Sequence, residues 1–246
     1  MTGQFLEVEG ITKNFGGVQA LREVGLSLSG GEVVGLIGPN GAGKSTLFNV
    51  ICGIKPTAGR VLFKGEDITG QRADDICHRG IARTFQLTKP FLDLSVKDNV
   101  ASAFLFGRNR HQISGLGEAR AEAMGILQEV KLDHRGDALA SGLLFAERRR
   151  LELARALATG PELLLLDEVM AGLSTGESQE MLEILAGLRH KHGLTLLVIE
   201  HVMKVVMAIC DRIVVLNYGS KLAEGTPQEV ARNKEVIAAY LGDEGA

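Results

Sequence analysis

The chain has 246 residues, enough for one large domain or for a domain carrying a small subdomain. Hydrophobic residues make up 45% and charged residues 23%, the balance of a globular α/β protein, and a formal net charge of -3 lacks the basic surplus of a nucleic-acid binder. Three scattered cysteines, Cys52, Cys77 and Cys210, form no C-x-x-C pair and point to neither a metal site nor a disulfide framework.

Gln4 and Glu7 stand where a secretory signal would be apolar, so no such signal is expected. From Phe5 to Ser29 the apolar residues Leu6, Val8, Val18, Leu21, Val24 and Leu26 alternate as in antiparallel strands, with a turn at Gly16-Gly17. Glu32-Val-Val-Gly-Leu-Ile37 predicts a buried strand, and Ser45-Thr-Leu-Phe-Asn-Val-Ile-Cys52 has helical spacing. Between them Gly38, Pro39, Asn40, Gly41, Ala42, Gly43, Lys44, Ser45 and Thr46 fill the pattern G-x-x-x-x-G-K-[ST] without a gap. A strand, a glycine loop and a helix in that order form a phosphate cradle. Glycines let the backbone N–H groups turn inward, and the helix N-terminus adds its partial positive charge. Lys44 is expected to reach the β- and γ-phosphates, and the Ser45 hydroxyl to bind Mg²⁺. The expected ligand is a nucleoside triphosphate.

Gly59 to Gly65 reads as a further strand, so a mixed sheet with an antiparallel edge and a parallel core is expected. Between Leu92 and Leu139 the character changes: 98–106, 118–129 and the chain from Ala138 onward look helical, with a polar loop at 107–117. A helix over 147–159 then precedes the strand Leu163–Leu166. Helix 177–192, strand 194–199, helix 202–210, strand 212–216 and a helical tail over 226–241, stopped by Gly242, complete the chain. None of its apolar stretches approaches the ~20 residues that span a bilayer.

Leu163-Leu-Leu-Leu-Asp167-Glu168 is an apolar strand ending in two carboxylates. Asp167 is placed to hold Mg²⁺ through water, and Glu168, on the opposite side of the pleat, to orient or deprotonate the attacking water. His201, after the next core strand, can hydrogen-bond a γ-phosphate. Gln86, in Arg83-Thr-Phe-Gln86, is placed between the first α/β lobe and the helical insertion, where it could contact metal or water and pass its state on.

This order of a phosphate loop, a glutamine loop, an Arg/Leu-rich helix, a strand ending Asp-Glu and a late histidine resembles the nucleotide-binding subunits of ABC transporters over nearly the whole chain. The resemblance implies an α/β, ABC-type P-loop ATPase as a single domain over 1–246. Residues 1–91 and 160–246 would form the core, with its mixed sheet and antiparallel β edge, and about 92–159 a small helical subdomain. It implies ATP and Mg²⁺ as cofactors, Phe15 stacked on the adenine, and Ala171-Gly-Leu-Ser174 meeting its counterpart across a dimer. The implied partners are transmembrane permease subunits and a second ABC ATPase, at the cytoplasmic face of the cell membrane, with no nucleic acid and no direct contact with the transported solute.

Gly80-Ile-Ala-Arg-Thr-Phe-Gln86, Arg148 to Leu157, Glu224 to Val230 and Ala239-Tyr-Leu-Gly242 are similar to the ATPases of branched-chain amino acid importers. ATPases for urea or amide uptake and for lipopolysaccharide or lipid export share much of this. ABC ATPases outside transport usually add coiled coils, zinc motifs or a second cassette, and this sequence has none.

One segment departs from the family. Where ABC ATPases carry Leu-Ser-Gly-Gly-Gln, this chain has Leu143, Leu144, Phe145, Ala146 and Glu147. In the family this segment grips the γ-phosphate of ATP held by the opposite subunit. Leu144 removes the serine hydroxyl and Ala146 replaces a glycine, so the surface is expected to be weakened. The favoured assembly is therefore an asymmetric heterodimer, in which the intact half-site of this chain meets a partner's intact signature, with a homodimer as the alternative. Val169 after the Asp-Glu pair, where proline is usual, and Val202 after His201 are milder departures.

Overall fold

The computed structural model describes residues 4–84 and 90–241. Its contacts divide the chain into two units, Met1–Ala73 with Thr195–Ala246, and Asp74–Leu194.

The first unit opens with the hairpin β1 (Leu6–Phe15) and β2 (Val18–Leu28), Leu6 facing Leu28 and Val8 facing Leu26. Then come β3 (Val33–Ile37), α1 (Lys44–Ile51), β4 (Ala58–Phe63) and the short β5 (Glu66–Asp67). β1, β2, β4 and β5 form one antiparallel sheet in the order β2-β1-β4-β5. Its alternation is that of a half-covered sheet: Leu6, Val8, Leu26, Leu28, Val61 and Phe63 are buried while the residues between them are polar or partly exposed. β3 is different, with all five residues buried, as a strand covered on both faces must be.

The second unit contains α2 (Ala73–Arg79), β6 (Ile81–Arg83), α3 (Val96–Phe106), α4 (Leu116–Glu129), α5 (Phe145–Ala158), β7 (Leu163–Asp167) and α6 (Thr175–His192). β6 and β7 pair in parallel, Arg83 beside Leu165. α3 packs on α4 and α5, and the small buried residues Ala101, Ala119 and Ala123 let the helix axes approach. The chain from Ala138 is not a helix start. Leu139 bridges antiparallel to Ser95, with Val96 N–H donating to Ala138 O (2.9 Å) and Ala140 N–H to Leu94 O (3.0 Å). These pairings satisfy the backbone, so only a 3₁₀ turn at Ala140–Gly142 forms before α5 begins at Phe145.

Back in the first unit follow β8 (Thr195–Ile199), α7 (Met203–Ile209), β9 (Arg212–Asn217), β10 (Ser220–Gly225), α8 (Pro227–Arg232) and α9 (Lys234–Leu241). β3 lies between β8 and β9, parallel to both, with Leu36 beside Ile199 and Val214, and β10 runs antiparallel along β9. α7 lies so close to β3 that a Cβ on Gly35 would stand 2.9 Å from Cys210 Sγ and 3.2 Å from Val206 Cγ1. The tail is two helices rather than one. Asn233 interrupts it and caps α9, its Oδ1 accepting from the N–H groups of Glu235 (2.9 Å) and Val236 (3.3 Å). One consequence positions the site: β3 and β8 end side by side, so the loops that follow them leave the same edge of the sheet.

Candidate nucleotide site

The loop after β3 has a shape that only its glycines permit. Gly38 sits at φ 150°, where a Cβ would meet Leu216 O at 2.1 Å, and Gly43 at φ 102°, where one would meet Ala20 O and Leu21 Cδ2 at 2.7 Å. The loop rests on the turn between β9 and β10, whose Gly219 N–H donates to Ala42 O at 3.1 Å. α1 starts at Lys44 with no side-chain cap on its N-terminus and no acidic residue in its first turn. N–H donors, a helix N-terminus and an ammonium, with no carboxylate on the loop, make a donor set for a phosphate anion. Lys44 is 6% exposed, and its Nζ donates to Gly38 O (2.6 Å) and Pro39 O (2.9 Å) of its own loop. Those bonds hold the charge over the cradle. Asn40, Gly41 and Ser45 are exposed, Pro39 and Thr46 half-buried.

In the same unit Phe15, at the end of β1, is exposed and carries the Lys13 ammonium 4.9 Å from its ring centroid. His201 is exposed in the loop after β8, preceded by the buried Glu200.

The second unit holds the two carboxylates. Asp167 closes β7 and is 3% exposed. Its N–H donates to Thr84 Oγ1 (3.1 Å), and the Arg83 guanidinium donates to its Oδ2 at 2.6 Å. The sequence pointed to this stretch only for Gln86, which lies outside the described residues. Arg83 and Thr84 were missed as supports of Asp167 because they are distant from it in the chain. Glu168 corrects the pleat argument: β7 ends at Asp167, and Glu168 has φ 51°, so alternation does not aim its side chain. A left-handed backbone at a residue with a Cβ costs about 1–2 kcal/mol, which the surrounding fold must offset.

The segment at Leu143–Glu147 is the beginning of α5. Leu143 and Ala146 are buried, whereas Leu144, at the N-cap position, is 73% exposed and has no acceptor to cap the helix. Glu147 Oε2 accepts from Leu144 N–H at 2.8 Å, and its Oε1 lies 3.4 Å from Arg135 Nε. This is half of a capping box, and it puts a carboxylate of the chain's own at the helix N-terminus. Phe145 lies against Gly172, where a Cβ would come within 3.0 Å of the ring, and Arg149 stacks its guanidinium 5.1 Å from the ring centroid. The loop carrying Gly172 ends at Ser174, which caps α6 in a complete capping box with Glu177.

The sequence and the fold both have relatives. The ABC transporter family matches residues 21–171, and the branched-chain amino acid ATP-binding cassette transporter C-terminal family matches 220–246. The chain is 41% identical over a 254-residue alignment to the high-affinity branched-chain amino acid transport ATP-binding protein LivG of Escherichia coli, covering 99% of this chain and 100% of that protein. It is 35% identical to a probable LivG of Archaeoglobus fulgidus, covering 97% and 96% of the two chains. Among solved structures, the ADP conformation of MJ1267, an ATP-binding cassette of an ABC transporter, superposes with a TM-score of 0.88 at 33% identity, covering 98% of this chain and 100% of that one. A dimeric post-hydrolysis state of the cassette MJ0796, bound to ADP and phosphate, gives 0.80 at 28% identity, covering 90% and 98%. The chain thus belongs to the ABC transporter family, as one of its ATP-hydrolysing cassettes.

Proposed function

We propose that this cassette is the peripheral ATPase of an importer, at the cytoplasmic face of the membrane, and that the importer carries branched-chain or other amino acids. The observation that carries the ATP reading is the loop of residues 38–46: a cradle with no carboxylate, an uncapped helix N-terminus, and no room for a Cβ at Gly38 or Gly43. The match of residues 220–246 to the branched-chain cassettes supports the solute class over urea, amide or lipid transport. Among the described residues no helix is long and apolar enough to cross a membrane, so transport through a bilayer would require permease subunits as partners.

In this reading Lys44 leaves the carbonyls of its own loop and pairs with the β- and γ-phosphates, while backbone N–H groups of the loop and α1 bind the remaining oxygens. Phe15 offers its free face to the adenine. Ser45, Asp167 and Gln86 would hold Mg²⁺, whose contribution when bound is to neutralise charge on the phosphates. Glu168 orients and deprotonates the attacking water, and His201 donates to the γ-phosphate. The Glu168→Gln variant is expected to bind ATP within a few-fold of wild type and to lose about 10²-fold or more of its hydrolysis. Full turnover in that variant removes Glu168 from the role. Lys44→Ala should weaken ATP binding itself, measured by equilibrium titration, and Ser45→Ala should abolish the enhancement of that binding by Mg²⁺.

The solute assignment has its own test. Reconstituted with its permease and solute-binding partners, the cassette should hydrolyse ATP faster when leucine is supplied and not when urea is supplied. Stimulation by urea alone would overturn the amino acid reading.

The second cassette of the dimer is proposed to be a different chain. The support is α5: Leu144 offers no hydroxyl, and the N-terminus that would face a partner's γ-phosphate already has the Glu147 carboxylate over it. ATP turnover should then be unequal at the two sites when the catalytic glutamate of each subunit is changed to glutamine in turn.

A further inference from the structure

Two elements of the first unit hold the phosphate loop without belonging to it. One is the β9–β10 turn, in which Tyr218 (φ 45°) and Gly219 (φ 79°) join the paired residues Asn217 and Ser220. Positive φ at both central residues is the type I′ geometry, and it leaves the Gly219 N–H and C=O outside the ladder. The other is β2. There Asn14 pairs with Gln19 and Lys13 with Leu21, so Ala20 is the extra residue of a β-bulge. The bulge brings Ala20 O against two glycines: a Cβ on Gly43 would meet it at 2.7 Å, and one on Gly219 at 2.8 Å.

The buried Gly219 joins the two with both of its backbone groups. Its N–H donates to Ala42 O on the phosphate loop at 3.1 Å, and its carbonyl accepts from Arg22 N–H on β2 at 2.7 Å. The same hairpin carries Phe15 near its tip, paired with Val18, two residues before the bulge. A continuous backbone path thus runs from the aromatic ring to the cradle, through Val18, Ala20, Gly219 and Ala42. The turn is strained where it does this. Tyr218 bears a Cβ at a left-handed φ, which costs about 1–2 kcal/mol, and the next position has no room for a side chain.

We propose that Gly219 is a positioning residue that sets where the adenine lies relative to the phosphates: it ties the β1–β2 hairpin, and Phe15 with it, to the phosphate loop. The inference rests on the reading of Phe15 as the adenine platform and of residues 38–46 as the phosphate cradle. Adenine and triphosphate are two ends of one ligand. A hairpin free to drift would leave the base unstacked whenever the phosphates were held, and ordering it would cost part of the binding free energy. With the span fixed beforehand by the two Gly219 hydrogen bonds, both ends bind at once. The inference concerns the nucleotide alone and stands whatever solute the importer carries.

Gly219→Ala tests this in the full-length chain. The atoms nearest the new Cβ all belong to Ala20 and Leu21 of β2, so the forced shift opens the hairpin from the turn and spares the bond to Ala42. ATP affinity, by equilibrium titration with Mg²⁺, and KM should weaken about 10-fold, with kcat at saturating ATP within about twofold of wild type. Inorganic tripolyphosphate, which has no base, should bind variant and wild type within about twofold of each other. Equal losses for the two ligands would overturn the proposal, since a merely loosened phosphate loop predicts that. Unchanged ATP affinity would overturn it too. Hydrogen exchange in the wild-type chain tests the same link without a substitution. ATP, held at both ends, should slow exchange of the Arg22 amide several-fold, and tripolyphosphate at equal saturation should not. Equal protection by the two ligands, or none by either, would overturn the proposal. Failure of the underlying readings shows elsewhere: the adenine platform falls, and this proposal with it, if Phe15→Ala binds ATP as wild type does, and the ATP reading falls if Lys44→Ala does.

Discussion

Arg83 and Asp167 show how much of this site rests on pairs that no local motif announces. The two side chains are 12% and 5% exposed, and their charged oxygen and nitrogen are 2.6 Å apart. A buried pair of this kind adds little net stability over an apolar one, but removing one partner leaves an uncompensated buried charge. Arg83→Leu is therefore expected to cost about 3–5 kcal/mol, visible as a lowered midpoint in urea denaturation. Arg83→Lys should fall between, because a point charge replaces a planar fork. The motif residues themselves were legible: the phosphate loop and the Asp-Glu pair are contiguous, and each follows an apolar run that must be a buried strand. The supports were not. Arg83 meets Asp167 across 84 residues of sequence, and Thr84 accepts from the Asp167 N–H across 83. Cys210 is the same lesson in the core: its thiol, pushed up to about 12 by burial, fills the space over Gly35, and nothing in its sequence neighbourhood says so. It should resist alkylation in the native protein long after Cys52 has reacted, as mass spectrometry of a brief iodoacetamide exposure would show.

Among the elements, those with strong periodicity lay where their patterns predicted, and the misreadings came where polar backbone partners compete with helix. The chain from Ala138 looks helical in composition, yet its N–H and C=O groups are taken by Leu94 and Val96 in a short antiparallel pairing. The tail reads as one helix until Asn233 ends it, since an asparagine side chain can bond the following N–H groups in place of the backbone. β10 escaped notice because Ser220-Lys-Leu-Ala-Glu-Gly225 is a polar edge strand with no β-branched residue in it. α6 was read well because its ends are marked: Ser174 and Glu177 cap its start, and Gly193 at φ 62° closes it. Ser174→Ala removes the cap from an 18-residue helix and should cost about 1 kcal/mol, measured by thermal denaturation. It also loosens the loop that holds Gly172 against Phe145, so the same variant should make Gly172 more accessible to hydrogen exchange.

At the scale of the whole molecule, this chain is asymmetric in what it keeps and what it has given up. The phosphate loop, Asp167 and Glu168 remain intact in sequence, and the surroundings of the loop and of Asp167 hold them tightly. The start of α5 has instead been filled with the chain's own groups: a leucine at the cap, a phenylalanine plugging the Gly172 loop, and a carboxylate on the first free N–H. On the proposed reading such a surface grips a γ-phosphate poorly, because the donors a phosphate needs are either missing or already answered by an anion. Stability and activity must then respond to its repair in opposite directions. The triple variant Leu144→Ser, Phe145→Gly, Ala146→Gly restores a hydroxyl and a slim backbone at the helix start. Each new glycine lowers helix stability by roughly 1 kcal/mol, so the melting temperature should fall. In the full chain assayed alone, where any dimer is formed from two identical copies, the restored donors should raise ATP turnover about 10²-fold, the scale of one oxyanion donor regained. If turnover stays at the wild-type level while stability drops, α5 is not what limits hydrolysis between two copies of this chain, and the case for an unlike partner fails with it.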